Sequence, residues 1–262
     1  MKPDYKNWMP KGMILSFAAG AALSLFLCLL FSRTGLLSAG TLKTVLTILF
    51  AALAVFFCGV TIWSILLYRA FDYNGSRQMS RQIIEGVAAY VQLPEGGKCL
   101  DVGCGSGALT IAVAKRNPKA SVIGIDRWGK EYALFSKALC ERNAQVEGAR
   151  NTSFRQGDAT HLDFPDETFD AVTSNFVYHN IPGNRQSYLL ETLRTLKKGG
   201  TFALHDIFSE SKYGNMQAFV KKLRAMGYQK AVLIDTANGK FMKRSEAGWM
   251  GLSGSALLVG IK

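Results

Sequence analysis

The sequence predicts an α/β protein: a doubly wound, mostly parallel sheet with an antiparallel pair at one edge, preceded by an all-α apolar hairpin. Three observations predict it. From Ser76 to the end, helical and strand patterns alternate, which is how a parallel sheet covered on both faces is written. The run Cys99 to Ala114 describes a buried strand passing through a glycine-only turn into a helix. Two uncharged apolar runs, Met13 to Phe31 and Val45 to Tyr68, stand in front of both.

The first apolar run has 19 positions, about 28 Å as a helix against a hydrocarbon thickness of roughly 30 Å. The second has 24, enough to span with tilt. Ser32 to Thr44 joins them, with Arg33 and Lys43 near its ends. A cleaved signal peptide is the alternative for the first run, because Lys2, Lys6 and Lys11 make a basic amino-terminal region. The run exceeds the usual signal length and a second span follows at once. Neither run has the polar face of a soluble core helix. Lysines before the first span and Arg69, Arg77 and Arg81 after the second outnumber the basic residues of the loop, so both termini and the domain are expected on the cytoplasmic side. The expected division is residues 1–72 as a two-helix membrane anchor and 73–262 as one soluble domain.

The chain is formally +12, and residues 69–262 hold 26 basic and 18 acidic side chains. A basic domain tethered to a membrane suits anionic headgroups. Nucleic acid is the competing partner for such charge, but no basic run is interleaved with aromatics, and Lys221, Lys222 and Arg224 read as the wet face of a late helix. The cysteines at 28, 58, 99, 104 and 140 have no zinc spacing and no disulfide framework. No metal site is expected.

The elements follow in order. Ser76 to Gln92 is a helix with Met79, Ile83, Ile84, Val87 and Val91 on one side. Leu100 and Val102 flank Asp101 in the first strand, and Leu109, Ile111, Ala112 and Val113 line the helix after the turn. Past Asn117-Pro118, Ser121 to Asp126 is a second strand, and Lys130 to Arg142 the next helix. Phe154 to Gln156 is a third strand leading into Gly157-Asp158-Ala159, and a fourth ends at Asn175. Asn184 to Leu196 is helical, Thr201 to Ile207 a strand, Asn215 to Met226 a helix. Ala231 to Asp235 and Ser255 to Ile261 have no helical pattern between them and form the antiparallel edge pair. Ala237 to Ser253, with Phe241-Met242 and Trp249-Met250 among glycines, is expected to be a lid or a membrane-facing loop.

Gly103, Gly105 and Gly107 remove side chains at alternate positions, so backbone amides and the positive end of a helix can face a ligand. The spacing lacks the third glycine of the dinucleotide fingerprint, and such a turn also occurs with no ligand. Asp126 lies 25 positions beyond Asp101. At the end of a second strand, an acid reaches the ribose of a nucleotide held by the first loop; the alternative is a helix cap.

As a set, LDVGCGSG, GID, GDA, PDETFDAV and LKKGGTFALHD resemble a class I S-adenosylmethionine (SAM)-dependent methyltransferase of the small-molecule type, similar to the ubiquinone and menaquinone biosynthesis methyltransferases (methyltransferase type 11). The resemblance covers roughly Ser76 to Lys262 and implies a seven-stranded Rossmann-like sheet. It implies that Asp101, Gly103, Cys104, Gly105 and Gly107 cradle the amino acid end of SAM. By the same resemblance Asp126, with Arg127 beside it, binds the ribose, Asp158 and Ala159 meet the adenine, and Asn175 lies by the methionine portion. Many relatives carry two histidines after the fourth strand, where this chain reads Tyr178-His179-Asn180.

The methyl of SAM is already activated, so alignment supplies much of the catalysis, and a base is needed only when the acceptor atom carries a proton at neutral pH. His179 and Tyr178 are the catalytic candidates, His205 a further one. Tyr73 reads either as an interfacial tyrosine or as a cover over SAM. The expected function is a membrane-anchored methyltransferase acting on a lipophilic or membrane-associated small molecule and releasing S-adenosylhomocysteine. The alternatives are a soluble metabolite or thiol as acceptor, a SAM-binding protein without turnover, and a nicotinamide dehydrogenase.

Overall fold

The computed structural model describes residues 2–129 and 134–262. They form two compact units, Asn7–Ser80 and the described part of Met1–Lys6 together with Arg81–Lys262. The boundary departs from a cut at residue 72 in one informative way: the amino-terminal residues 2–6 belong with the α/β domain, although the hairpin follows them in sequence.

The first unit is the hairpin, α1 (Lys11–Arg33) and α2 (Thr41–Phe71). Both helices extend past the apolar runs into their flanking polar residues, and both are long and apolar enough to cross a membrane. Phe31 stacks on Phe50 at 5.7 Å between centroids, and a side chain at Gly20 would meet the Phe57 ring at 3.2 Å, so a small residue lets the helices approach. Large apolar side chains face outward along both, among them Leu23, Phe26, Val55, Phe56 and Ile62.

The second unit contains α3 (Met79–Ala88), β1 (Lys98–Val102), α4 (Ala108–Arg116), β2 (Ser121–Asp126), α5 (Lys137–Glu147), β3 (Thr152–Gln156), β4 (Phe169–Asn175), α6 (Arg185–Arg194), β5 (Leu196–Ile207), α7 (Glu210–Tyr213), α8 (Met216–Ala225), β6 (Lys230–Asp235), α9 (Arg244–Trp249) and β7 (Ser255–Ile261). The amphipathic stripe predicted for α3 is buried from Met79 through Val87. Side chains of Ser136, Asn184 and Asn215 accept amide hydrogens at the starts of α5, α6 and α8, the usual way to satisfy a first helical turn.

The seven strands run in the order β3-β2-β1-β4-β5-β7-β6. The first five are parallel, and β7 runs antiparallel between β5 and β6, as predicted for the edge pair. Order reverses between β1 and β4, so the loops after those strands diverge there and leave the crevice where ligands of doubly wound sheets bind. Leu100, Val102, Val172, Phe202 and Leu204 fill the layer beneath.

Two expectations need correction. The segment between β6 and β7 contains α9, and Phe241, Met242, Ala247 and Met250 are buried within the domain; burying these apolar groups outweighs the flexibility of the surrounding glycines, so the stretch is packed rather than a free lid. The helix expected from Lys130 begins at Lys137, and residues 130–133 lie outside the described residues.

Candidate functional site

The crevice is built on the turn after β1. Gly103, Gly105 and Gly107 all have left-handed backbones, φ +74°, +55° and +84°. A Cβ at Gly103 would collide with Val177 at 2.3 Å, whereas the space over Gly105 is open. The segment after β4 is therefore packed onto the glycine turn, and the turn's middle residue faces a gap. Gly107 starts α4 with no side-chain cap, and the Thr110 amide in its first turn is bonded to Asp101.

The turn is held from beneath and from its flanks. Asp101, 1% exposed, accepts hydrogen bonds from Thr110 Oγ1 at 2.6 Å and Thr173 Oγ1 at 3.0 Å. It therefore lies under the loop. Burial pushes its carboxyl up to about 7, the two hydroxyls opposing that rise. Gly124, its register partner on β2, leaves room for Thr110, since a Cβ there would lie 2.7 Å from Oγ1. Cys104 is buried, and desolvation holds its thiol well above the ordinary range, so it is a packing residue. The Gly105 carbonyl accepts from Trp128 Nε1 at 3.1 Å and from the Cys140 thiol at 3.2 Å.

Asp126 closes one side. One oxygen accepts from the Gly105 amide at 2.8 Å and the other from the Trp128 amide at 2.9 Å, which brings together the loop and the acid read 25 positions apart. Arg127 follows it at the sheet edge, its carbonyl accepting from Gln156 Nε2 at 3.2 Å. Asp158 and Ala159 lie just past β3, two strands from the glycine turn. Asp158 caps its own turn, accepting from the Thr160 amide and hydroxyl, both at 2.8 Å, and these bonds hold its carboxyl below the usual range.

The far side of the crevice comes from β4 and β5. Phe176, directly after β4, has φ +55°, a conformation that non-glycine residues adopt at a cost. It redirects the chain into a single 3-10 turn, Tyr178–Asn180. His179 Nδ1 lies 2.5 Å from Asp206 Oδ1. Asp206, itself 1% exposed, also accepts from the amides of Tyr178 and Ile207 at 2.9 and 2.7 Å. The Nδ1 side of the ring is engaged by Asp206, which leaves Nε2 on the side away from that carboxylate. The His179 side chain keeps 14% exposure. A partly open imidazole oriented by a buried acid is the arrangement of a general base.

Tyr178 is not placed for catalysis. It is fully buried and its hydroxyl bonds to Thr192 Oγ1 at 2.5 Å, with burial holding the phenol proton above its ordinary pKa. His205 is corrected likewise: it is 1% exposed, bridges Asn175 Oδ1 (2.7 Å) and Thr236 Oγ1 (2.9 Å), and desolvation drives its pKa to about 3. It fixes Asn175 as a neutral ring. Asp206, Thr110, Thr173 and Trp128 had no role in the sequence reading; the HD pair closing β5 is the one signal that pointed to any of them. A separate cavity of about 280 Å³, lined by Phe208, Leu233, Asp235 and Arg244 among others, lies at the β6–β7 edge, on the other side of β5 from the glycine turn.

Comparison with known proteins agrees with this geometry. The family described as "Methyltransferase domain" matches residues 100–204, from β1 into β5. The demethylmenaquinone methyltransferase of Lactobacillus johnsonii is 40% identical over 111 residues, 42% of this chain and 43% of that protein. That of Bacillus subtilis is 31% identical over 156 residues, 58% and 65%. The arsenite methyltransferase of Aquipseudomonas alcaligenes is 32% identical over 124 residues, 46% and 35%. The chain spans under half the length of the first of these curated relatives. Among solved structures, the [4+2]-cyclase SpnF superposes with a TM-score of 0.53 at 21% identity, over 73% of this chain and 85% of that one. Phosphoethanolamine N-methyltransferase 2 of Haemonchus contortus gives 0.51 at 16% identity, over 72% and 53%. Those two likenesses concern the fold, and a cyclase among them shows that the fold does not fix the reaction. By these sequence matches, the stretch from β1 into β5 is similar to small-molecule methyltransferases.

Proposed function

We propose that this protein is a membrane-anchored methyltransferase that moves a methyl group from SAM to a small lipophilic acceptor. The observation that carries the SAM reading is the pairing of the open, left-handed Gly105 with Asp126 at the end of β2. The fit is chemical. An open glycine turn at a helix start suits a carboxylate, Asp126 suits a ribose diol, and Asp101 beneath the loop suits a nearby ammonium. In this reading Asp101, Gly103, Cys104, Gly105 and Gly107 shape the bed, Asp126 and Arg127 flank the ribose, Asp158 and Ala159 the adenine, and Asn175 the methionine portion.

SAM supplies an electrophilic methyl on a sulfonium. The chain's residues exclude water, align the acceptor and, for an acceptor that carries a proton, remove it at His179 Nε2 while Asp206 stabilises the imidazolium. The relatives named for demethylmenaquinone support a quinol-like acceptor. The outward apolar faces of α1 and α2 support a bilayer position, and the flanking lysines and arginines a cytoplasmic domain. The arsenite methyltransferase relative favours a second reading, a soluble or thiol-bound acceptor with the hairpin as an address.

Full-length protein in lipid nanodiscs, given SAM and either a prenylated naphthoquinol, its tail-less analogue or arsenite with thiol, separates the two. Preference for the prenylated acceptor that disappears in detergent supports the proposal. Equal or better turnover of the water-soluble acceptors overturns its lipophilic part.

A further inference from the structure

Residues 2–6 do more than lead into α1. The Asp4 amide donates to Asn143 Oδ1 at 2.8 Å, and Asn143 Nδ2 donates back to the Asp4 carbonyl at 2.9 Å. The same Nδ2 donates to the Ser106 carbonyl at 3.0 Å, and the Ser106 hydroxyl donates to the Tyr5 carbonyl at 2.8 Å. Asn143 is fully buried, while Tyr5 and Ser106 are 5% and 6% exposed. The Asp4 carboxylate lies 2.6 Å from Lys6 Nζ and 3.6 Å from Arg142.

Ser106 sits directly after Gly105, the glycine of the turn that faces the gap. Without the strap, the carbonyl of Asn143 and the hydroxyl of Ser106 lose the partners shown here, and an unmet buried polar group is costly enough that the local structure rearranges to find another. The peptide most free to rearrange is the glycine turn itself. Trp128 and Cys140 fix the Gly105 carbonyl, and Asn143, held in turn by the strap, fixes the next one.

We propose that residues 2–6 are a built part of the cofactor site, with Asn143 and Ser106 as positioning residues that hold the glycine turn in its binding geometry. The inference rests on the reading of that turn as a SAM bed. It makes the site discontinuous in sequence, with the hairpin inserted between the strap and the rest of the domain. A fragment starting at residue 73 would carry every family motif and still lack this element.

The test uses full-length protein in nanodiscs, in wild-type form, with residues 2–5 deleted, and as Asp4→Pro, Ser106→Ala and Ser106→Thr. Hydrogen exchange is followed without ligand, and S-adenosylhomocysteine binding by calorimetry. Deletion, Asp4→Pro and Ser106→Ala are expected to speed exchange of the 103–111 amides about tenfold and raise Kd about tenfold, leaving exchange in β6 and β7 unchanged. Ser106→Thr, which keeps the hydroxyl, is expected to restore both. Deletion that leaves 103–111 exchange and Kd within about twofold of wild type overturns the strap's role while the SAM reading stands. A folded wild type that binds no S-adenosylhomocysteine overturns the reading of the turn, and this inference with it.

Discussion

Asp101 makes the account quantitatively testable, because it lies beneath the turn assigned to a cationic ligand and burial pushes its carboxyl up to about 7. An acid titrating near 7 is about nine-tenths protonated at pH 6 and about one-tenth at pH 8. An ammonium brought to the loop favours the ionised form, so at low pH binding must also drive off a proton. If the ligand holds the carboxyl ionised across this window, S-adenosylhomocysteine should bind about tenfold more weakly at pH 6 than at pH 8, about 1.4 kcal/mol. Asp101→Asn should abolish that slope and bind weakly at both values. Stability moves the other way. The folded protein holds this proton more tightly than the unfolded chain, so the group's contribution falls as pH rises from about 4 to 7, and the interval from 3.8 to about 7 corresponds to a loss on the order of 4 kcal/mol. Asp101→Asn, which lets the Thr110 and Thr173 hydroxyls rotate to suit an amide, should therefore melt higher than wild type at pH 8. Calorimetry at the two pH values with thermal melts of both proteins is the assay. A wild-type affinity constant within about twofold, or a slope retained in Asp101→Asn, would refute the placement of a cation over this acid.

Other outcomes follow from the same contacts. Gly105→Ala places a methyl in open space at φ +55°, so it should cost only about 1 kcal/mol of stability yet weaken S-adenosylhomocysteine binding more than tenfold. Gly124→Ala should lower the melting temperature by pushing Thr110 off Asp101, at a cost of about 1–3 kcal/mol. His179→Gln and Asp206→Asn should each reduce kcat for a protonated acceptor by about 10²- to 10⁴-fold with S-adenosylhomocysteine affinity unchanged; unaltered kcat removes the base from the mechanism. Cys104 should resist alkylation in the native protein and react after unfolding, since its thiol is buried and held protonated.

The parts of the fold legible in the sequence are those where one physical demand dominates. Strands buried on both faces need unbroken apolar runs, which marked β1, β2, β4 and β5, and a left-handed turn needs glycine, which marked 103, 105 and 107. The helix α9 escaped notice because six residues containing Gly248 and Trp249 show no 3.6-residue stripe; tertiary burial forms it. The sequence sets Tyr178 beside His179 without showing which way its side chain points, and the backbone twist at Phe176 turns it inward. Asp206 has no role legible in the sequence, because it meets His179 only once the sheet register sets β5 beside β4. The strap left no trace in composition, since its bonds run from side chains of Asn143 and Ser106 to backbone groups that any residue at positions 4 and 5 would present.

The most direct test of the central claim is mass spectrometry of lipid extracts from cells making the wild-type protein, cells making Asp126→Ala, and cells making neither. A lipid heavier by one CH₂ unit is expected in the first extract alone, labelled when the cells are fed methyl-deuterated methionine. Extracts identical across all three, with the wild-type protein folded and in the membrane, would contradict that claim.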